Sequence, residues 1–105
     1  GIATDSGIPV FRGPQGLWTR DPAAENMATL QSYRADPAVR ARSWQWRLET
    51  DANRRTPNAG HRALVELERA GHLDLLVTQN VDGLHLAAGS DPARVVEIHG
   101  TLREV

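Results

Sequence analysis

Cysteine is absent from the 105 residues, so no disulfide, thiolate metal site or cysteine nucleophile can form within them. Lysine is absent as well: all 12 basic residues are arginine, which points to a GC-rich coding sequence rather than to a function. No apolar run approaches the roughly 20 residues of a membrane-spanning helix, and no signal-peptide pattern opens the chain. These absences set a cytoplasmic expectation with no membrane partner. A net charge of −1 gives no overall attraction to nucleic acid, so no direct nucleic-acid partner is expected. There is no initiator Met before Gly1, and the chain closes on HGTLREV soon after a strand-like run, so an internal piece of a longer protein is expected. What is present, 40% hydrophobic and 24% charged residues, fits a soluble globular domain with a modest core. At this length about 60–65% of the unfolded surface can be buried.

Residues 1–18, GIATDSGIPVFRGPQGLW, hold four of the nine glycines and read as a loop with one short helical turn. Three helix starts follow, each marked by a capping side chain and then proline. Asp21-Pro22 opens a weakly helical 21–33, Asp36-Pro37 opens DPAVRARSWQWRLET, and Thr56-Pro57 opens TPNAGHRALVELERAG. The last places Ala59, Ala63, Leu64, Leu67 and Ala70 along one face and Gly71 as its stop. Two apolar runs of strand length come next, LDLLVT (73–78) and RVVEIH (94–99). Helix, strand, short connection and strand in this order predict an α/β fold with a parallel sheet whose strands end at a ligand crevice.

Four groups can carry chemistry. The N-terminal glycine loop can offer backbone N–H groups to a pyrophosphate, although SGIP is also an ordinary turn. Phe11-Arg12-Gly13 can pair an arginine fork with phosphate beside an aromatic cover, or can simply anchor a loop. Gln79, Asn80 and Asp82 follow a strand's C-terminal end, where α/β sheets bind ligands. They are equally compatible with an Asx turn in which Asn80 and Asp82 bond their own backbone. His99, at the end of the second strand, can take a proton near neutral pH or be structural. His61, His72 and His85 are assigned structural roles. The four histidines have no close metal-ligand spacing, so no metal site is assigned to these residues. The arginine-rich 34–55 stretch reads as a solvated helical face, with Trp44 and Trp46 able to line a groove.

Together the stretches 1–18, PNAGH (57–61), TQNVDGLHLAAG (78–89) and EIHG (97–100) resemble, in this order, the sirtuin family of NAD-dependent protein lysine deacylases. The resemblance implies a Rossmann-like parallel sheet with helices on both faces, incomplete here, interrupted by a helical insertion of a small domain. It divides a partial catalytic domain (1–105) into a cofactor-loop region (1–33), the helical insertion (34–56) and a helix–strand–strand portion (57–105). Gly1 matches the last glycine of the family's GAG turn. By the same match Gly1, Ile2 and Ala3 contact the dinucleotide, and Phe11 and Arg12 close over the nicotinamide ribose. Gln79 contacts a ribose hydroxyl, Asn80 helps order the nicotinamide-side ribose, Asp82 receives the carboxamide, and Val81 is a further cofactor-binding residue. His99 is the general base, with Asn80 assisting the chemistry, and NAD is consumed as co-substrate with acyl-lysine proteins as partners. The products are nicotinamide and O-acyl-ADP-ribose. The family's zinc is expected in the whole protein, with its cysteine ligands outside these residues.

Two departures stand out: Ala3 replaces a usual serine, and Val10 replaces an aspartate found in many members. In the family's desuccinylase-like branch a Tyr-x-x-Arg pair binds an acidic acyl chain, and WQWR places Trp44 and Arg47 at those positions. Arg47 can pair with a succinyl carboxylate there, or be solvated on a surface helix. Protein mono-ADP-ribosyl transfer and a non-catalytic NAD or ADP-ribose binding module are the alternatives, and the retained His99 favours catalysis over the latter.

Overall fold

The structure is a computed structural model that describes residues 1–10, 16–22, 29–50 and 55–104. It comprises two compact units, Gly1–Ile8 with Ala52–Val105, and Pro9–Asp51.

The first unit opens with a 3-10 turn, Ile2–Ser6, closed by the Gly7 N–H donating to the Thr4 carbonyl at 2.9 Å. The helix expected from Thr56 starts two residues later: α4 runs Ala59–Arg69 with Asn58 as its cap. Asn58 Oδ1 accepts from the Gly60 N–H (2.9 Å) and the His61 N–H (3.4 Å), two of the donors that a helix start leaves unpaired. At the other end Gly71 N donates to Glu68 O and His72 N to Leu67 O, a Schellman closure that needs the left-handed backbone of Gly71, φ 80°. Gly71 is thus the stop that the sequence predicts. The buried stripe differs from the expected one. It comprises His61, Leu64, Val65 and Glu68, with His61 and Val65 fully inside, whereas Ala63 and Leu67 face out. The three- and four-residue spacing is helical in both cases; the face is set by what α4 packs against.

That partner is α5, Leu84–Ala88, which lies between the strands β1, Leu76–Thr78, and β2, Val95–Glu97. The strands pair in parallel, Leu76 with Val95, Val77 with Val96 and Thr78 with Glu97. They are shorter than the apolar runs that announced them. Asp74 bends the chain and Leu75 is exposed, because the ladder extends only as far as β2 supplies partners. Parallel strands cannot be joined by a tight hairpin, and the connection between them folds into α5 and a 3-10 turn, Pro92–Arg94, capped by Asp91. Ala3, Val65 and Leu84 form the apolar core of this unit, with Leu84 0% exposed.

In the second unit α1 is a single turn, Leu17–Arg20. The expected helix 21–33 falls partly on residues 23–28, outside the described residues. The described helix, α2, spans Leu30–Ala35, with Thr29 Oγ1 accepting from the Ser32 N–H at 3.3 Å. As expected, Asp36 begins α3, Pro37–Thr50, by accepting from the Ala38 N–H at 2.9 Å. Arg40 reaches back to donate to the Tyr33 and Arg34 carbonyls at 3.1 and 3.0 Å, joining the end of α2 to α3. Val39 is buried, while Leu48 is 75% exposed. Among the described residues no helix is long and apolar enough to cross a membrane.

Candidate functional site

Both strands of the first unit run in the same direction, so their C-terminal ends open onto one edge. Beyond Thr78, the Ile98 N–H donates to the Thr78 carbonyl at 3.1 Å, carrying the register one step past the last paired residues. Gln79 and Asn80 leave β1 at the edge where His99 leaves β2. The parallel register therefore places Asn80 and His99, 19 positions apart in the chain, just beyond the C-terminal ends of neighbouring strands. The Leu102 N–H donates to the Val81 carbonyl at 2.9 Å, tying the turn after His99 back to the segment after β1.

Within that segment each residue is placed differently. Gln79 is exposed, Asn80 and Val81 are half-buried, and Asp82 is 4% exposed. Thr78 Oγ1 accepts from the Asn80 N–H at 3.0 Å, and Asp82 Oδ1 accepts from the Leu84 N–H at 2.9 Å. Asp82 therefore makes the local turn bond that the sequence allowed, starting α5, while remaining a carboxylate at the strand end. Neither side-chain amide, of Gln79 or of Asn80, bonds another described residue. Gly83, φ 68°, makes the left-handed step into α5, and a β-carbon there would sit 3.0 Å from the Arg103 guanidinium. His99 is exposed in the turn closed by the Gly100 N–H on the Glu97 carbonyl.

The N-terminal turn belongs to the same unit. Gly1 is exposed, Ile2 half-buried and Ala3 buried. Ile2 is gripped from α4: the Asn58 Nδ2 amide donates to the Ile2 carbonyl at 2.6 Å and to Ser6 Oγ at 3.0 Å. Gly60 makes room for this approach, since a β-carbon there would meet the Ile2 side chain at 3.0 Å. Phe11 and Arg12 lie outside the described residues.

Trp44 and Arg47 lie one turn apart on α3 in the second unit. The Arg47 guanidinium stacks 5.0 Å from the Trp44 ring centre, and the Trp44 indole donates to the Tyr33 hydroxyl at 2.9 Å. Arg47 Nη1 is buried with no hydrogen-bond partner among the described residues.

Sequence reasoning missed Asn58, because Thr56-Pro57 is an equally good local helix start; asparagine three residues before His61 is the signal that was available. It also gave His61 and His85 structural roles without the contact between them. Both are buried, with ring centres 4.9 Å apart in an edge-to-face arrangement. Burial pushes both below the ordinary histidine value. For His61 the neighbouring His85 and then Arg62 add to this and Asp82 opposes it; for His85, Asp82 and Glu97 oppose it. Among the described residues no group of three or more His, Asp or Glu side chains could hold a metal ion.

The family model described as "Sir2 family" matches residues 1–105. NAD-dependent protein deacetylase 2 of Streptomyces coelicolor is 52% identical over 104 residues, covering 99% of this chain and 43% of that protein. Among solved structures, a Sir2 homologue mutant in complex with ADP-ribose superposes with a TM-score of 0.83 at 44% identity, covering 97% of this chain and 39% of the other. A Sir2 mutant with a deacetylated p53 peptide and 3′-O-acetyl ADP-ribose gives a TM-score of 0.81 at 32% identity, covering 96% and 39%. The chain thus spans about two fifths of the length of the relatives it matches.

Proposed function

This chain belongs to the Sir2 family, its two parallel strands being part of a Rossmann-like α/β fold, and on that premise we propose that the whole protein is an NAD-dependent protein lysine deacylase. The observation that carries this reading is the strand register, which delivers Asn80 and His99 to one C-terminal sheet edge beside the buried Asp82. The donor set at that edge suits a dinucleotide: two unengaged carboxamides, a carboxylate and an exposed imidazole, all able to meet ribose hydroxyls or a nicotinamide amide.

Bound NAD supplies the ribosyl carbon from which nicotinamide departs and to which the acyl oxygen is transferred. The residues of this chain bind, orient and move protons. The backbone of Gly1, Ile2 and Ala3 would hold the phosphates, within the 1–33 cofactor-loop region that also carries Phe11 and Arg12. Gln79 and Asn80 hold ribose hydroxyls, and Val81 and Asp82 hold the carboxamide, fixing the leaving group's orientation. His99 Nε2 or Nδ1 accepts the proton of a ribose hydroxyl as that oxygen attacks the acyl carbon. No ligand set for a zinc ion is present among the described residues, and the chain has no cysteine, so no step is assigned to one here.

The acyl group is read from the helical insertion, residues 34–56. The unpartnered Arg47 Nη1, on a guanidinium placed over the Trp44 ring, suits the carboxylate of an acidic acyl chain. The Trp44 N–H is already given to Tyr33, so Arg47 is the donor left for that carboxylate.

The whole protein should be incubated with NAD and with acetyl-lysine or succinyl-lysine peptide, following peptide and O-acyl-ADP-ribose by mass spectrometry. Acyl loss that requires NAD and falls about 10²–10⁴-fold in His99→Ala supports the deacylase. Selective loss of succinyl turnover in Arg47→Ala supports the acyl reading. If neither peptide changes while NAD binds, the deacylase reading fails, and ADP-ribosyl transfer or a binding module replaces it.

A further inference from the structure

The contacts around Asn58 form a chain that ends on a histidine. Asn58 Nδ2 holds the Ile2 carbonyl and Ser6 Oγ, Asn58 Oδ1 starts α4, and the Asn58 backbone N–H donates to His61 Nδ1 at 3.1 Å. An imidazole nitrogen that accepts carries no proton, so neutral His61 bears its proton on Nε2. That Nε2 is buried without a hydrogen-bond partner, and so is Nδ1 of His85, whose ring meets His61 edge to face. Two unpaired nitrogens in a 0% and a 5% exposed site are costly to keep. A leucine at position 61 would avoid the cost on its side, but it could not accept from Asn58. The benefit of the histidine therefore lies on its Nδ1 side, toward Asn58 and the N-terminal turn.

We propose that His61 is a positioning residue for the dinucleotide: as a neutral ring it locks Asn58, and Asn58 in turn holds the Ile2–Ser6 turn in its binding shape. The inference rests on the reading of that turn as part of the NAD site. Protonation has a defined consequence. The second proton must go onto Nδ1, where it confronts the Asn58 N–H as donor against donor, and the lock opens. The groups facing His61 act on this in both directions: His85 on α5 and Arg62 on α4 resist the added charge, and Asp82 before α5 favours it. Burial is the largest influence and resists it, so the lock is closed at neutral pH and opens on acidification, below the ordinary histidine value.

The test is equilibrium binding of ADP-ribose to the whole protein, as wild type, His61→Leu and His61→Asn, from pH ~8 to ~5. In asparagine Oδ1 occupies the place of Nδ1 but does not titrate. His61→Leu is expected to weaken ADP-ribose about tenfold, the worth of one well-placed hydrogen bond, without changing the KM for acyl-lysine peptide. His61→Asn is expected to recover most of the affinity and to lose the acid limb that wild type shows. Wild-type affinity in folded His61→Leu overturns the proposal. If that variant does not fold, a His61→Asn profile that keeps the wild-type acid limb overturns it instead. Wild type that fails to bind ADP-ribose at all removes the NAD reading and this inference with it, whereas wild type that binds while every variant behaves identically removes the inference alone.

Discussion

Each unit contains one long helix announced by a capping side chain and a proline, and the two are fastened in opposite ways. In α3 the cap precedes the proline: Asp36 accepts from Ala38, and Pro37 fills the first helical position. In α4 the proline precedes the cap, because Asn58, not Thr56, accepts from the first turn. Asn58 is the better placed of the two since its amide also reaches Ile2 and Ser6, 56 and 52 positions away. Around α3, Arg40 bonds Tyr33 and Arg34 and Trp44 bonds Tyr33, contacts that span at most 11 positions. The α3 cap thus acts on its own sequence neighbourhood, and the α4 cap also on the turn it holds.

Four measurements sharpen or break this contrast. Leu84→Ala should have the largest effect, lowering unfolding free energy by about 2–5 kcal/mol, because it empties the fully buried centre of the first unit. Urea unfolding of the whole protein reads this, and a loss below about 1 kcal/mol would mean that the core lies elsewhere.

Asn58→Ala comes next, costing about 1–2 kcal/mol through the lost cap. It should also weaken ADP-ribose binding. Asn58→Asp separates the two roles: it keeps the acceptor for Gly60 and His61 but cannot donate to the Ile2 carbonyl. If the aspartate restores both stability and binding, the grip on Ile2 has no functional weight.

Acid should act on one unit before the other. All four histidines lie in the first unit, and His61 and His85 are held below their ordinary value, chiefly by burial. The unfolded chain therefore binds protons more readily than the folded one. This contribution is complete above the ordinary histidine pKa of about 6.5 and is lost as pH falls from there through the lowered folded values. On acidification the hydrogen-exchange protection factors of the α4 amides should fall ahead of those of α3. An equal fall in both helices would contradict the assignment.

Asp36→Ala should be the smallest change, about 1 kcal/mol of stability. ADP-ribose affinity should be unaltered, as expected of a cap with only local partners.

The same contrast explains what could be read from the amino-acid order. The Asp36 cap and the Gly71 stop were legible because both depend on a few adjacent residues. So was the polar segment at the end of β1, since Gln79, Asn80 and Asp82 follow a strand that has no local reason to end in them. The true cap of α4 was not legible, because Thr56 and Asn58 are locally equivalent and a contact with Ile2 decides between them. The buried face of α4 shifted for the same reason: His61 reads as polar until it is seen packed against His85, 24 positions away. Strand lengths were overestimated because an apolar run shows where a ladder can form, not how much partner it has.

The shared strand register has a bearing on loop length. The segment from α5 to β2 is a surface connection of the kind that ordinarily tolerates insertion and deletion. Here, removal of one residue between Gly89 and Val95 would draw β2 back along β1 by about 3.3 Å or turn its side chains to the opposite face. Either result separates His99 from Asn80 while leaving every residue of the site chemically intact. The length of that connection therefore works as a spacer gauge between His99 and Asn80, and under the proposed deacylase reading changes there should appear as lost turnover in a folded protein.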